Sequence, residues 1–467
     1  MFLEPVFERF LASTPLTVMA RVTIEHALPP TMLDDLFDQT AQRGYTKELL
    51  FSTTVELMSL VVCGQHPNVE AAYHHLERVP VTLKSVYEKL QSIETVVSAA
   101  LVHSVAQRCQ ALITELGGVC AGPLPPPYRV KILDGNQLAA TQKRLKVTRG
   151  HTAGPLPGKS LAVLDAASML VSDVIPCEDG YTNERALIDE VLPLVNASEV
   201  WIADRIFSTV DFLQGVDERK AFFVVRRHGN LNYVPHGEFG PEVETERGWV
   251  RERPVQICRE GQPLLAARLV VVRLKKPTED GDREVEILTN LPADVADAVL
   301  VSQLYLARWK IEGVFHELTV ALTCELNTLG YPKAALFGFC VAVVAYNVLA
   351  VVKAALRAVH GEEKVQREVS GYYMALEWSA VYPGMMVALP PHHWEQFSHL
   401  STPIIAERLR DWAGRINLKK FRKAPPRKPT KHPTPRIKDR KAHLSTARLL
   451  AAAKEAKHAQ HTRRSRS

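Results

Sequence analysis

Between Lys333 and Lys353 the chain runs from Ala334 to Val352 without a charged residue. A stretch of that length and character either spans a bilayer or forms a helix enclosed by the rest of the protein. Gly338, Tyr346 and Asn347 interrupt its apolar character, and a polar, charge-bearing stretch directly precedes it. The buried helix is the expected outcome, with no membrane partner. Enclosing it takes a large core, and 467 residues allow two to four domains. A hydrophobic content of 46% with 23% charged residues is that of an ordinary soluble globular protein.

The seven cysteines are scattered with no Cys-x-x-Cys, which argues for reduced thiols in a cytoplasmic protein and against a zinc site. MFLEPVFERF carries early acids and no apolar core, so no signal peptide is expected. The net charge of +6 is unevenly spread. From Arg415 to Ser467 there are 18 Lys and Arg against 2 acids, which leaves the preceding 414 residues near −10. A basic tail of this kind is a common nucleic-acid footprint, because neutralising phosphates releases counterions.

Periodicity and punctuation divide the chain. Residues 1–119 read as helices (Met32–Phe37, Thr46–Cys63, Val69–Glu77 and a long Leu83–Leu116), a candidate DNA-binding domain with Thr82–Tyr87 opening a recognition helix. Gly122–Pro127 is a stiff connector. Residues 128–230 mix strands with an amphipathic helix at Glu184–Val195, the pattern of an α/β domain. Residues 231–293 are a β-rich insertion, and residues 294–360 return to helix. Residues 361–414 look helical, with a Pro383-Gly384 turn. In 415–467, five prolines among basic residues predict a largely disordered tail.

Two aspartates follow apolar strands: Asp134 after VKIL and Asp204 after VWIA. Glu312 belongs to a helical stretch with Tyr305 and Arg308, and steps of three and four residues set the three in one row. Leu300, Leu304, Trp309 and Ile311 are expected to dock this helix on the core. The bland reading is an Arg308–Glu312 surface ion pair. Read jointly, the three carboxylates are hard oxygen ligands suited to Mg²⁺ or Mn²⁺. Such ions can activate an attacking oxygen and stabilise a leaving oxygen in phosphodiester chemistry.

ILDGNQLAAT with Asp134, WIADRIFST with Asp204 and YLARWKIEGVFHEL with Tyr305, Arg308 and Glu312 together resemble the DDE transposases of bacterial insertion sequences. The branch is the one typified by insertion sequence four, and the resemblance runs from Leu3 to about Leu356, with LTNLP, LNTLGYPKAALF and PLPGKSL also similar. It implies a ribonuclease H-like catalytic domain interrupted by the β-strand insertion. It further implies metals held by Asp134, Asp204 and Glu312, and phosphate contacts from Tyr305 and Arg308, with Arg205 grouped among the DNA-binding residues. Trp249, the only tryptophan of the insertion, is the candidate to stack on a flipped base. The implied activity is cut-and-paste transposition by a homodimer acting on terminal inverted repeats and target duplex, in the bacterial cytoplasm at the nucleoid. One position departs from the family pattern: seven residues after Glu312, where the family carries Lys, stands Thr319. A catalytically silent DNA-binding derivative and a metal-dependent nuclease without strand transfer are the alternatives.

Gly154–Ser160 looks like a phosphate-binding loop, but it is one residue short, holds two prolines and precedes a strand, so no nucleotide cofactor is expected. The pairs His74-His75 and His392-His393 lack companion ligands at metal spacing. Glu317 and Glu325 fall off the Tyr305–Arg308 row.

Overall fold

The computed structural model describes residues 5–42, 48–76, 79–278, 281–424 and 443–464. Twelve strands lie among them: β1 (Arg129–Gln137), β2 (Gly154–Leu156), β3 (Lys159–Asp165), β4 (Leu170–Cys177), β5 (Glu199–Ala203), β6 (Phe222–Arg226), β7 (Tyr233–Pro235), β8 (Val243–Glu244), β9 (Gly248–Arg259), β10 (Gln262–Leu274), β11 (Glu284–Thr289) and β12 (His443–Ser445). Ten form one mixed sheet in the order β4-β3-β1-β5-β6-β11-β10-β9-β7, with β8 on β9. Within this sheet, among the described residues, only the β1–β5 and β5–β6 pairings are parallel. The strands that the 231–293 stretch contributes prolong this sheet, because β11 pairs antiparallel with β6. The mixed α/β architecture is compatible with a ribonuclease H-like catalytic domain.

The strands alternate between two cores, as period two requires for a sheet covered on both faces. Ile132, Val200 and Ile202 face one cluster; Leu133, Trp201 and Ala203 face the other. The second cluster is closed by the short α8 (Ile188–Val191) and by α9 (Val210–Glu218). The first is closed by helices from both ends of the chain. Before β1 these are α1 (Pro5–Ser13), α2 (Pro15–Ala27), α3 (Pro30–Thr40), α4 (Phe51–Val62), α5 (Val69–His75), α6 (Leu83–Ser92) and α7 (Thr95–Leu116). After β11 come α10 (Ala298–Leu306), α11 (Trp309–Val320), α12 (Pro332–His360), α13 (Glu362–Glu368), α14 (Gly371–Ala388), α15 (Glu395–Ser398) and α16 (Thr402–Gly414); the last helix, α17 (Thr446–Arg464), contributes no described residue to either cluster.

The apolar run is α12, begun by Pro332 in its first turn, where a missing N–H costs nothing. Its apolar window is wholly buried, packed by α2, α4, α6, α7 and α16. Its polar residues have partners. Asn347 accepts from the Val171 N–H at 2.9 Å and donates to the Val171 carbonyl at 2.9 Å. The edge strand β4 thus finds on α12 a substitute for a missing neighbour. Tyr346 donates to the Met169 carbonyl at 3.1 Å. At the end of α7, Gly117 takes the left-handed cap (φ 67°). A Cβ on the following Gly118 would come within 2.3 Å of the Ala354 carbonyl oxygen, so only glycine lets α7 approach α12 this closely.

Several sequence expectations are corrected. Leu83–Leu116 is two helices, because Ile93 turns extended and buries its side chain. Glu184–Val195 is a chain of short 3₁₀ and α turns, its last turn built around Pro193, which has no N–H to give. The helix expected to run unbroken from Asp294 is three helices, with a turn at Ala307–Arg308 and a loop from Ala321 to Tyr331. Pro383 lies inside α14 and does not end it. Trp309 is 59% exposed and lies not on the core but against the Arg308 guanidinium, 5.0 Å from the indole ring centre. In the tail, His443–Ser445 pairs with β2 and Thr446–Arg464 is helical, against the expectation of disorder, since TARLLAAAKEAKHAQ is rich in strong helix formers. The tail prolines between 425 and 435 lie outside the described residues, as do Thr46 and Glu77.

Candidate active site

Parallel pairing of β1 with β5 sets Leu133 beside Ala203. One residue further on, Asp134 and Asp204 point to the face that Ile132 and Ile202 share, on strands about 4.8 Å apart. Asp204 ends its strand and caps the following 3₁₀ turn, accepting the Ile206 N–H at 2.7 Å. Asp134 departs from the expected strand end. It lies inside β1, because the antiparallel partner β3 carries the pairing on to Gln137.

The row expected on one helix arrives by a different geometry. Between α10 and α11, Ala307 bonds back to Leu304, Arg308 to Tyr305, Lys310 to Ala307 and Ile311 to Arg308. Each is a tightened i→i−3 bond of the 3₁₀ kind. Arg308 leaves this turn toward the sheet. Its Nη1 donates to Asp134 Oδ2 at 2.8 Å, and its Nη2 lies 2.8 Å from Glu312 Oε1. Tyr305 is hydrogen-bonded to the same guanidinium. Arg308 is thus shared between two carboxylates and is no simple surface pair with Glu312.

The electrostatics follow from burial. Asp134 is pushed up to about 6 by loss of water, and the charges of Asp204 and Glu184 add to this while Arg308 and the Gly135 N–H oppose it. Burial acts against the Arg308 charge, yet Asp134, Tyr305, Glu312 and Asp204 hold its pKa above the ordinary value. Burial also raises the Tyr305 hydroxyl, with Arg308 and Arg226 opposing, so the hydroxyl keeps its proton at neutral pH.

Hard carboxylate oxygens suit Mg²⁺ or Mn²⁺, and Asp134 and Asp204 fit such an ion by donor chemistry and shared face. Among the described residues no three His, Cys, Asp or Glu side chains stand close enough to share an ion. The Arg308 guanidinium fills the position between Asp134 and Glu312.

Other predicted residues lie apart. Trp249 is on β9, four strand steps from β5 and so roughly 19 Å away across the sheet. Its ring is covered by Arg273 at 4.3 Å and Lys275 at 5.4 Å. Arg205 is exposed at the rim, where its charge acts on Asp282. The Thr319 hydroxyl turns back on its own helix, to the Phe315 carbonyl at 2.9 Å. The Gly154–Ser160 stretch forms β2 and the start of β3, with no helix behind it.

Sequence reasoning missed Glu184. Its carboxylate packs on Gly135, where an added Cβ would meet Oε1 at 2.4 Å, and it pairs with Lys159 Nζ at 3.6 Å. The one available signal was Lys159 itself, embedded in a motif dismissed as a failed phosphate loop.

Residues 125–348 match the profile of the family described as a transposase DDE domain. The matched stretch holds Asp134, Asp204, Tyr305, Arg308 and Glu312, and it supports a DDE transposase with DNA as its partner. No curated protein matches the chain.

Proposed function

We propose that the chain is a cut-and-paste DNA transposase of the insertion sequence four branch, acting as a homodimer on terminal inverted repeats in the bacterial cytoplasm. One observation carries the reading. Two aspartates stand side by side where parallel pairing ends, and one of them, Asp134, is tied through Arg308 to the helical Glu312, inside the stretch that matches a DDE domain.

Asp134, Asp204 and, once released by Arg308, Glu312 would hold Mg²⁺ or Mn²⁺, whose charge activates an attacking oxygen and stabilises a leaving one. Arg308 would turn from the carboxylates to a DNA phosphate, which its planar fork fits equally well. Tyr305, protonated beside it, would donate to the same phosphate. Water attacks phosphorus, the bond to the 3′ oxygen breaks, and the transposon end is left with a 3′-hydroxyl. That hydroxyl attacks the opposite strand to give a hairpin and later, after the hairpin opens, attacks the target strand.

The test is excision with native element ends and Mg²⁺, comparing wild type with Asp134→Asn. Product from wild type alone supports the reading, and equal activity in both removes it. A second reading, a DNA-binding derivative without catalysis, draws on Thr319, which offers no cation where the family places Lys. Binding of the ends without cleavage by either protein favours it, and Thr319→Lys is then the variant to assay.

A further inference from the structure

We propose that the carboxy-terminal segment is a clasped arm that lays a basic helix along the DNA duplex entering the catalytic centre. This rests on the transposase reading and adds to it an interaction surface, its occupant and its anchor.

The anchor is specific. β12 pairs in parallel with β2, His443 to Gly154 and Ser445 to Leu156. Tyr181 donates its hydroxyl to the His443 carbonyl at 2.6 Å. Arg448 Nε meets Asp179 Oδ2 at 2.7 Å, and its guanidinium lies 5.6 Å from the Tyr181 ring centre. Ser445 and Thr446 are buried at the junction, and the Ser445 hydroxyl caps the new helix by accepting the Arg448 N–H. A tail that is merely solvated needs no such fixture.

The anchor also places the arm. Gln137 donates to the Gly180 carbonyl, between Asp179 and Tyr181, at 3.4 Å. Gln137 follows Asp134 by three residues on β1, about 10 Å along an extended strand. From there α17 runs 19 residues. At 1.5 Å per residue that is about 28 Å, the length of roughly eight base pairs.

Beyond its first turns α17 is exposed on nearly every side. Lys454 and Lys457 are exposed and have no carboxylate partner among the described residues. Lys454 and Lys457 lie three residues apart, on one face of the helix. One row of cations opposite a phosphate backbone is the charge complementarity that sets duplex affinity without sequence readout.

The test measures binding of an element-end duplex by fluorescence anisotropy between 50 and 300 mM salt, with full-length protein in Ca²⁺. Lys454→Gln with Lys457→Gln is expected to lower the slope of log K against log salt by about 1.8, two phosphate contacts at roughly 0.9 each. Affinity at low salt falls at least fivefold. Asp179→Asn with Tyr181→Phe loosens the anchor but leaves every arm cation in place and removes a negative charge. A free polycationic tail would then bind as well or better, whereas a positioned arm binds at least threefold more weakly. Unchanged slope and affinity in the Lys pair, or unweakened binding in the anchor pair, overturns the proposal. So does a change of sedimentation mass in the Lys pair, which would give the row to a second protein chain. Absence of nicking by wild type under Mg²⁺ bears on the transposase reading alone, because the salt slopes are measured without it.

Discussion

Arg308 Nη1 lies 2.8 Å from Asp134 Oδ2, and the same guanidinium reaches Glu312 Oε1 at 2.8 Å through Nη2. One side chain therefore neutralises two of the three carboxylates proposed to bind metal, and metal and arginine compete for the same oxygens. Arg308→Gln is expected to bind Mn²⁺ about tenfold more tightly than wild type in the absence of DNA, read by titration calorimetry. In the presence of DNA the same variant is expected to lose at least a hundredfold in cleavage, having lost a phosphate contact. Weaker Mn²⁺ binding by the variant would show that Arg308 orders the site and does not occupy it.

The charge of Asp204, on the same face, adds to the cost of ionising Asp134. Removing either charge is expected to abolish cleavage while leaving the fold intact or firmer. Asp204→Asn should raise Tm by up to about 3 °C in metal-free buffer, the usual sign of a site whose geometry serves chemistry over stability. A drop of more than a few degrees would identify the Asp204 cap on Ile206 as the dominant role of that side chain.

The Asn347 side-chain amide bonds both backbone groups of Val171, N–H and carbonyl. Asn347→Leu matches the apolar surroundings but strands a buried N–H and carbonyl. A loss of about 2–4 kcal/mol in urea unfolding is expected. Asn347→Ala adds a cavity and should cost at least as much.

His103 on α7 joins Asp173 on β4 at 2.7 Å. The hydrogen bond to Asp173 raises the His103 pKa; burial pushes Asp173 upward, but its bonds from His103 and Ser172 hold it below the ordinary value. The histidine's contribution is complete below its unfolded value of about 6.5 and fades as pH rises through its higher folded value. The carboxylate's contribution is present above about 3.9 and is lost as pH falls. The imidazole is half-exposed, so screening keeps the gain small. His103→Gln should cost under about 1 kcal/mol at pH 6 and close to nothing at pH 9, measured by chemical unfolding at both.

The legible parts of the sequence were those where one local rule dominated. Strand runs such as EVWIA and AFFVVR became β5 and β6 because β-branched and aromatic residues fit a sheet buried on both faces. Asp134, Asp204, Tyr305, Arg308 and Glu312 were read as a set from their spacing; Asp134, Tyr305 and Glu312 meet at Arg308, and Asp204 stands beside Asp134 on the next strand. What stayed hidden depended on distant chain. That Asp134 lies within β1 follows from its pairing with β3, which no window around VKIL contains. The turn at Ala307 leaves no Gly or Pro signature, and it exposes Trp309, which periodicity had turned inward. Trp249 met the expected composition but lies under Arg273 and Lys275 on a remote strand, a placement set by sheet order. Proline and charge outweighed alanine in the reading of the tail, and so α17 was missed.

α12 is enclosed by helices that come from both ends of the chain, α2, α4 and α7 before it and α16 after it. During synthesis this helix leaves the ribosome some fifty residues ahead of α16, with one flank of its apolar surface still uncovered. For those seconds it offers what an insertion signal or a chaperone client offers. A copy of the gene truncated after residue 360 would keep every proposed catalytic residue and still yield a product bound for aggregation or degradation.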